Sequence, residues 1–283
     1  MNSDLVQKIS YQFLRLITYA IVISVGYILF DIIRHGLPVI NWDFLTTFPR
    51  KSGSEGGILP AILGTVYLTI GTIAVALPLG VGCAIYLSEY AGHNRFSELV
   101  RLAIITLAGV PSIVYGLFGL GLFVIFCQFG TSILAGSLTL ACMVLPIIIV
   151  ASEEALRAVP RGFREASLAL GATKWETIRT NVLPYSISGM ITGSILAIGR
   201  AAGETAPILL TVAAFFLPKL PGSIFDQVMA LPYHLYILAT QHPETEKVLP
   251  LQYGTALVLL LLVLGMNIGA IVLRIHFRKK YKW

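Results

Sequence analysis

Long apolar runs, separated by short polar segments, are the dominant pattern in this chain. An α-helix rises about 1.5 Å per residue, so about 20 apolar residues cross a hydrocarbon core about 30 Å thick. Six runs reach that length, with approximate limits 13–33, 58–87, 99–126, 132–151, 185–216 and 251–275. The pattern therefore predicts an all-α integral membrane protein with six transmembrane helices.

The composition indicates the same class and leaves room for one membrane domain. Of the 283 residues, 56% are hydrophobic and 12% are charged, whereas soluble domains carry about 25% charged residues. We expect residues 1–57 to form a first span and an extracytoplasmic loop, and residues 58–283 to form the main transmembrane domain. The first run is longer than the apolar core of a signal peptide and has no convincing cleavage site, so it is expected to be retained.

Positive charge indicates the orientation of the spans. The formal net charge is +6, and most Lys and Arg residues lie in segments that share one side if the first run crosses outward. Cytoplasmic loops retain Lys and Arg, so both termini are expected in the cytoplasm. Because the charges lie in short segments between apolar runs, nucleic-acid binding is not expected. The three cysteines have no metal-ligand spacing, and no metal site or disulfide is predicted.

The longest charged segment between two apolar runs covers residues 153–184. Phe163, Ala166 and Leu170 recur at i, i+3 and i+7, which places them on one face of a helix. Gly171 is a suitable stop for that helix. The segment is too charged to cross the bilayer, so the helix is expected to project from the membrane.

A second helix is predicted directly after the first. Thr173 and Glu176 have the spacing of a capping box, and the helix should run from there toward Pro184. Two interpretations remain for the paired helices: a solvated connector, or a docking element for a cytoplasmic partner. A DNA-binding helix-turn-helix fits poorly, because the segment is tethered to the membrane at both ends and its charges nearly cancel.

The same segment resembles the Glu-Ala-Ala loop of bacterial ABC importer permeases. The positions that match the family pattern at its spacing are Glu165, Ala166, Gly171, Leu183 and Pro184. Ser167 and Asn181 depart from it. In that family the loop, hereafter the coupling loop, docks into a groove of the ATPase subunit and transmits its closure to the membrane helices. The resemblance implies a coupling role for Glu165, Ala166, Gly171, Leu183 and Pro184. Thr173 and Trp175 lie in the same loop and are predicted to share that role.

Two further segments narrow the resemblance to phosphate-importer permeases. They are residues 109–119 and residues 203–207, and the second is closer to the PstA-type subunit than to its PstC-type partner. The resemblance implies a type I ABC importer permease (MetI-like) fold in the bacterial cytoplasmic (inner) membrane. The partners it implies are a second, PstC-type permease, a PstB-type ATPase dimer that binds ATP and Mg, an extracytoplasmic PstS-type phosphate-binding protein and the lipid bilayer.

Two charged residues fall inside the fifth apolar run. Arg200 and Glu204 are four residues apart, so on a helix they share a face and can pair. A charge at the bilayer centre costs about 2.5–3.5 kcal/mol on insertion scales, so such residues face a cavity or the protein interior. Either the pair is a structural ion pair between helices, or it is a gate or transient anion contact. The resemblance favours the second, because in phosphate importers this span lines the translocation path.

No catalytic motif accompanies these features. The sequence contains no phosphate-cradling Gly-x-x-x-x-Gly-Lys-Ser/Thr loop, no His-Glu-x-x-His and no Gly-x-Ser-x-Gly. The chain is therefore expected to be a non-catalytic transport subunit without a cofactor of its own. The alternatives are a permease for another oxyanion, such as sulfate or molybdate, and a secondary transporter or channel, which would show an inverted repeat.

Overall fold

The computed structural model describes residues 3–53, 55–92, 94–217, 219–243 and 245–280, which are mainly helical. The helices are α1 Ser3–Gly36, α2 Trp42–Thr46, α3 Leu59–Ile85, α4 Arg95–Ala108, α5 Ser112–Gly119, α6 Ile133–Arg157, α7 Arg161–Ala169, α8 Lys174–Thr177, α9 Leu183–Gly203, α10 Ala206–Thr211, α11 Leu231–Thr240 and α12 Thr245–Lys280. Within the same residues, π-helical turns cover Tyr86–Tyr90, Leu120–Phe126 and Ile178–Val182. Short 3-10 turns cover Leu37–Val39 and Lys51–Gly53, and strands β1 Pro49–Arg50 and β2 Glu55–Gly56 pair antiparallel.

The described residues contain five helical segments long and apolar enough to cross a membrane: Gln7–Val39, Leu59–Tyr90, Ile133–Arg157, Lys174–Gly203 and Glu246–Lys279. A further candidate consists of Arg95–Ala108 and Ser112–Phe126, which are joined at a bend of 104°. Taken as one span, the bent pair completes the six predicted transmembrane segments. They are called spans one to six in chain order, and the bent pair is span three.

Span four, α6, lies at the centre of the helical bundle. It begins after Ser132, whose Oγ accepts a hydrogen bond from the Ala135 amide at 3.2 Å. The helix packs against α3, α4, α5 and α9. Its fully buried side chains in the core include Leu140, Met143, Val144 and Ile148. The other spans are therefore positioned largely by their contacts with α6.

Small residues allow α6 and α9 to approach closely. A Cβ at Gly193 would lie 2.3 Å from the Cβ of Ala151, and a Cβ at Gly189 would lie 2.6 Å from the Cβ of Ala155. Helices in lipid associate largely through such packing, because lipid tails are as apolar as the side chains. The two glycines therefore determine where spans four and five touch.

Span three, which covers the predicted run 99–126, is bent at Pro111. The helix α4 ends at Ala108, Pro111 is extended with φ −58° and ψ 140°, and α5 starts at Ser112. Proline lacks an amide hydrogen and disfavours helical geometry in the residue before it, so α4 does not continue through this point. The predicted run therefore forms two helices, and the break sets α5 against α10.

Span five starts and ends earlier than the predicted run 185–216. Helix is continuous over Lys174–Gly203, Glu204 is extended with φ −75° and ψ 136°, and a short helix follows. A proline inside a helix clashes with the carbonyl four residues before it, and Pro207 stands four residues after Gly203. The long helix therefore ends at Gly203, and the predicted boundary at 216 is wrong.

Outside the spans, α11 carries a deeply buried histidine. His234 is 2% exposed, and its ring stacks on Phe215 with the ring centroids 6.1 Å apart. Its Nδ1 has no hydrogen-bond partner within the described residues. Burial lowers the pKa of His234 from 6.5 to about 4, and a hydrogen bond with the Phe215 backbone opposes part of that change. The imidazole is therefore neutral at pH 7.

Acidification from pH 6.5 to about 4 is expected to destabilise the region around His234. The unfolded histidine takes up its proton near pH 6.5 and the folded one near 4, so the unfolded state binds more protons between these values and stability falls as pH falls. Over the whole pH range, the free energy of unfolding is expected to fall by about 3 kcal/mol. Thermal melts of the purified protein in detergent should show a falling Tm, and His234→Leu should flatten the slope. An equal slope in both proteins would contradict the role of His234.

Candidate coupling and translocation sites

The coupling loop consists of one helix, a tight turn and the start of a second helix. Gly171 follows α7 with φ +85°, in the left-handed region. Thr173 Oγ1 accepts a hydrogen bond from the Glu176 amide at 3.3 Å, and Glu176 Oε2 accepts one from the Thr173 amide at 2.7 Å. The predicted capping box and the glycine stop are confirmed. These local contacts set the angle between α7 and α8.

The second helix of the loop is longer than predicted. It begins at Lys174, but Pro184 occupies the first turn of α9 and the helix continues to Gly203. A helix tolerates a proline where the amide hydrogen that proline lacks would have had no hydrogen-bond partner. Here the preceding turn, Ile178–Val182, is π-helical, so the regular bonding pattern is already interrupted before the proline. One continuous helix thus connects the coupling loop to the far end of span five.

The outer surface of the coupling loop is exposed and partly apolar. Leu170 is 90% exposed, and Leu168 and Trp175 are about half exposed. The predicted coupling residues on this exposed tip are Glu165, Ala166, Gly171, Thr173 and Trp175, whereas Leu183 and Pro184 are half-buried at the start of α9. Large apolar side chains exposed together on a charged loop are typical of a protein–protein contact.

The inner surface of α7 differs from the predicted face. Phe163 packs against Tyr185 with ring centroids 5.0 Å apart. Ser167 is buried, and its Oγ accepts a hydrogen bond from Thr177 Oγ1 at 3.0 Å. Leu170, which the sequence pattern placed on the same face as Phe163, lies beyond the end of α7 and is exposed. The packed face therefore contains a polar pair that hydropathy alone does not reveal.

Ion pairs attach the coupling loop and its flanks to neighbouring spans, and the sequence predicted none of them. Arg164 donates to both carboxylate oxygens of Glu89, at 2.7 and 3.2 Å. Glu153 accepts hydrogen bonds from Arg101 at 2.6 Å and from Arg157 at 2.7 Å. Glu89 and the three arginines line a cleft of about 480 Å³. The Glu89–Arg164 and Arg101–Glu153 pairs are separated by 75 and 52 residues, so no local pattern relates the partners.

The predicted Arg–Glu pair lies at a helix break, not in the middle of a span. Arg200 is in the last turn of α9, and Glu204 follows the end of that helix. The Arg200 Nε donates to Glu204 Oε1 at 3.2 Å, and the two side chains are 34% and 17% exposed. A guanidinium carries five N–H donors, and within the described residues Arg200 donates this one hydrogen bond. Its remaining donors are available to a bound anion.

The two clusters are suited to binding and transmission. Within the part of the chain that the structure describes, no group of three His, Cys, Asp or Glu side chains could hold a metal ion. The coupling loop offers apolar and hydrogen-bonding groups to a protein, and Arg200 offers N–H donors to an anion. The two sites lie at opposite ends of the Lys174–Gly203 helix, about 40 Å apart along its axis.

Known proteins resemble this chain over most of its length. Residues 76–282 match the family model for the binding-protein-dependent transport system inner membrane component. The probable ABC transporter permease protein YqgI of Bacillus subtilis is 35% identical over 253 residues, which cover 84% of this chain and 85% of that protein. The phosphate transport system permease proteins PstA 1 of Mycobacterium tuberculosis and PstA of Haemophilus influenzae are 39% and 32% identical. They match 77% and 90% of this chain, and 71% and 87% of their own lengths.

The fold is also similar to the folds of solved importers. A chain of the inward-facing MetNI methionine ABC transporter matches with a TM-score of 0.60 over 78% of this chain and 94% of that one, at 17% identity. A chain of a bacterial ABC transporter involved in the import of the acidic polysaccharide alginate matches with a TM-score of 0.69 over 95% and 96%, at 12% identity. At these identities the likeness concerns the fold alone, and it confirms the predicted MetI-like architecture.

Proposed function

The chain belongs to the family of binding-protein-dependent transport system inner membrane components, and on that premise we propose that it is the PstA-type permease subunit of an ATP-driven phosphate importer. The observation that carries the proposal is the 32–39% identity to PstA proteins over 77–90% of the chain. Such a permease is a non-catalytic membrane subunit, and the ATPase is a separate chain. A secondary transporter, a channel or a permease for another oxyanion, which the sequence alone left open, is not favoured by these relatives.

A permease of this family works with a substrate-binding protein and an ATPase, and it is an integral protein of the inner membrane. We infer that its particular partners are a second, PstC-type permease, a PstB-type ATPase dimer and a PstS-type phosphate-binding protein. ATP and Mg belong to the ATPase in this scheme. The excess of Lys and Arg in segments on the side of the coupling loop supports cytoplasmic termini.

We assign the exposed tip of the coupling loop to the contact with the ATPase. Glu165 can accept hydrogen bonds from the partner, and Leu170 and Trp175 can bury apolar surface in its groove. The turn at Gly171 and the cap at Thr173 set the angle between the two helices, so a displacement at the ATPase surface moves α7 and α8 together. Because α8 continues into span five, that displacement reaches the far end of the span.

We assign Arg200 to the contact with the transported anion. A planar guanidinium suits the oxygens of phosphate because it donates forked, charge-assisted hydrogen bonds. One of its donors is engaged by Glu204 within the described residues, and that carboxylate compensates its charge while the site is empty. In this scheme the ion pair loosens when phosphate arrives and re-forms after phosphate leaves.

Reconstitution tests the proposed function directly. The chain would be purified from its native membrane together with its partners, placed in liposomes, and assayed for uptake of radiolabelled phosphate. We expect an ATPase and a second permease to co-purify, and we expect uptake to require both ATP and the binding protein. An excess of sulfate should leave phosphate uptake unchanged. Phosphate uptake that proceeds without ATP, or a preference for sulfate, would contradict the proposal.

A further inference from the structure

The last turn of span two contacts both arms of the coupling loop. This turn, Tyr86–Tyr90, is π-helical, and the Ala91 amide donates to the Tyr86 carbonyl at 2.8 Å. The final two residues of the turn, Glu89 and Tyr90, contact different arms of the loop.

The first contact is the ion pair between Glu89 and Arg164 of α7. Two nitrogens of Arg164 donate to the carboxylate, and the Glu89 and Arg164 side chains are 8% and 20% exposed. Arg164 also donates to the carbonyls of Leu156 and Val159, at 2.8 and 2.7 Å. A two-point, charge-assisted pair fixes direction as well as distance. The orientation of α7 is thereby tied to the ends of spans two and four at once.

The second contact reaches the other arm of the loop. The Nζ of Lys174, the first residue of α8, lies 4.9 Å from the centroid of the Tyr90 ring. A cation within about 6 Å of an aromatic face is attracted by the ring quadrupole. Because α7 and α8 lie on opposite sides of the Gly171 turn, two successive residues of span two hold both arms.

We propose that Glu89 and Tyr90 are positioning residues that carry the movement of the coupling loop to span two, an inference that rests on the proposed ATP-driven import. The chain connects the loop directly to spans four and five. Span two packs along span four. If span four moved with the loop and span two did not, the packed surfaces of the two spans would have to slide past each other. The two contacts make span two follow the loop, as the chain itself makes spans four and five do.

Apolar packing holds the loop in place without these two contacts. A buried cluster joins Leu156, Val159 and Val182 of the loop to Ala84 of span two and Met190 of span five. Phe163 and Tyr185 pack at the edge of this cluster. Apolar contacts are non-directional, so they keep the loop docked but do not fix its orientation as the ion pair does. Loss of the Glu89 charge should therefore affect transmission while the loop remains docked.

Substitutions at the two positions test this inference. In the reconstituted complex, Glu89→Gln is expected to lower the phosphate transported per ATP hydrolysed by about fivefold or more, within the usual range of coupling effects. Tyr90→Leu removes an exposed cation–π contact and is expected to lower the same ratio by about two- to fivefold. The conservative variants Glu89→Asp and Tyr90→Phe keep the charge and the ring, and should retain most of the ratio. Glu98→Gln removes an exposed carboxylate of α4 outside the loop and serves as the matched control.

Co-purification of the ATPase and the rate of ATP hydrolysis separate coupling from folding. Both are expected to stay near the wild-type values in Glu89→Gln, because the apolar cluster is intact. A wild-type ratio of transport to hydrolysis in both Glu89→Gln and Tyr90→Leu would overturn the inference. Loss of bound ATPase in proportion to the loss of uptake would also overturn it. Either result would leave the proposed function in place. Absence of ATP-dependent phosphate uptake in the wild type would overturn the proposed function, and the inference with it.

Discussion

Arg200→Gln is expected to lower ATP-dependent phosphate uptake by about 10- to 100-fold while the complex still assembles, since hydrogen bonds to a charged group contribute about 1.5–3 kcal/mol. Glutamine is polar but has neither the charge nor the forked donors of arginine. Arg200 donates one hydrogen bond within the described residues, to Glu204, so most of its donors are available to the anion. The measurement is the initial rate of radiolabelled phosphate uptake into proteoliposomes.

Companion variants distinguish an anion contact from a structural ion pair. Arg200→Lys keeps the charge but not the planar fork, and its uptake should be intermediate. Arg278→Gln removes an exposed positive charge near the end of α12 and controls for the change in net charge. If Arg200→Gln no longer co-purified with the ATPase and the second permease, Arg200 would hold the fold together instead of contacting the anion.

Gly171→Val is expected to uncouple ATP hydrolysis from uptake, with phosphate transported per ATP falling about tenfold. Gly171 has φ +85°, a conformation in which a β-branched residue is an outlier, and holding such a residue there costs about 1–3 kcal/mol. The turn would relax toward negative φ, and α7 would no longer meet α8 at the present angle. Simultaneous assays should show hydrolysis persisting while uptake falls.

Gly162 provides a matched control within the same loop. A Cβ at either Gly162 or Gly171 would meet no heavy atom within 4 Å, but Gly162 lies inside α7 and has no positive φ. Gly162→Ala should preserve coupling, because alanine adopts the negative φ of this position without strain. Gly171→Asn should retain most of the coupling, because Asn tolerates the left-handed region. Normal transport by Gly171→Val would mean that this backbone conformation has no part in coupling.

Signals between near neighbours in the sequence predicted the coupling loop and the spans. The capping box at Thr173 and the stop at Gly171 depend on residues a few positions apart, and both are confirmed. The number of spans followed from the length of the apolar runs, because a hydrocarbon core imposes a minimum length on any helix that crosses it. In each case the physical cause lies within one short segment of chain.

Helix breaks and distant contacts could not be predicted in the same way. Pro111 and Pro146 both interrupt apolar runs, yet the chain bends sharply at the first and α6 continues through the second. Hydropathy averaged over a window does not distinguish these outcomes, since tertiary packing decides them. Glu89 and Arg164 are 75 residues apart, so no period or motif relates them. Glu204 lies within an apolar run that continues past it, so hydropathy does not show that the helix ends at Gly203.

The close contact at Gly193 divides the Lys174–Gly203 helix unequally. About 19 residues, or about 29 Å, separate it from the loop end, and about 7 residues, or about 10 Å, separate it from Arg200. If span five tilts about this contact, it is a lever with unequal arms, and the Arg200 end moves about one third as far as the loop end, with about three times the force. A large displacement with a small force at the ATPase end then becomes a small displacement with a large force at the anion. Insertion of one helical turn in the longer arm would raise the force and shorten the stroke at Arg200.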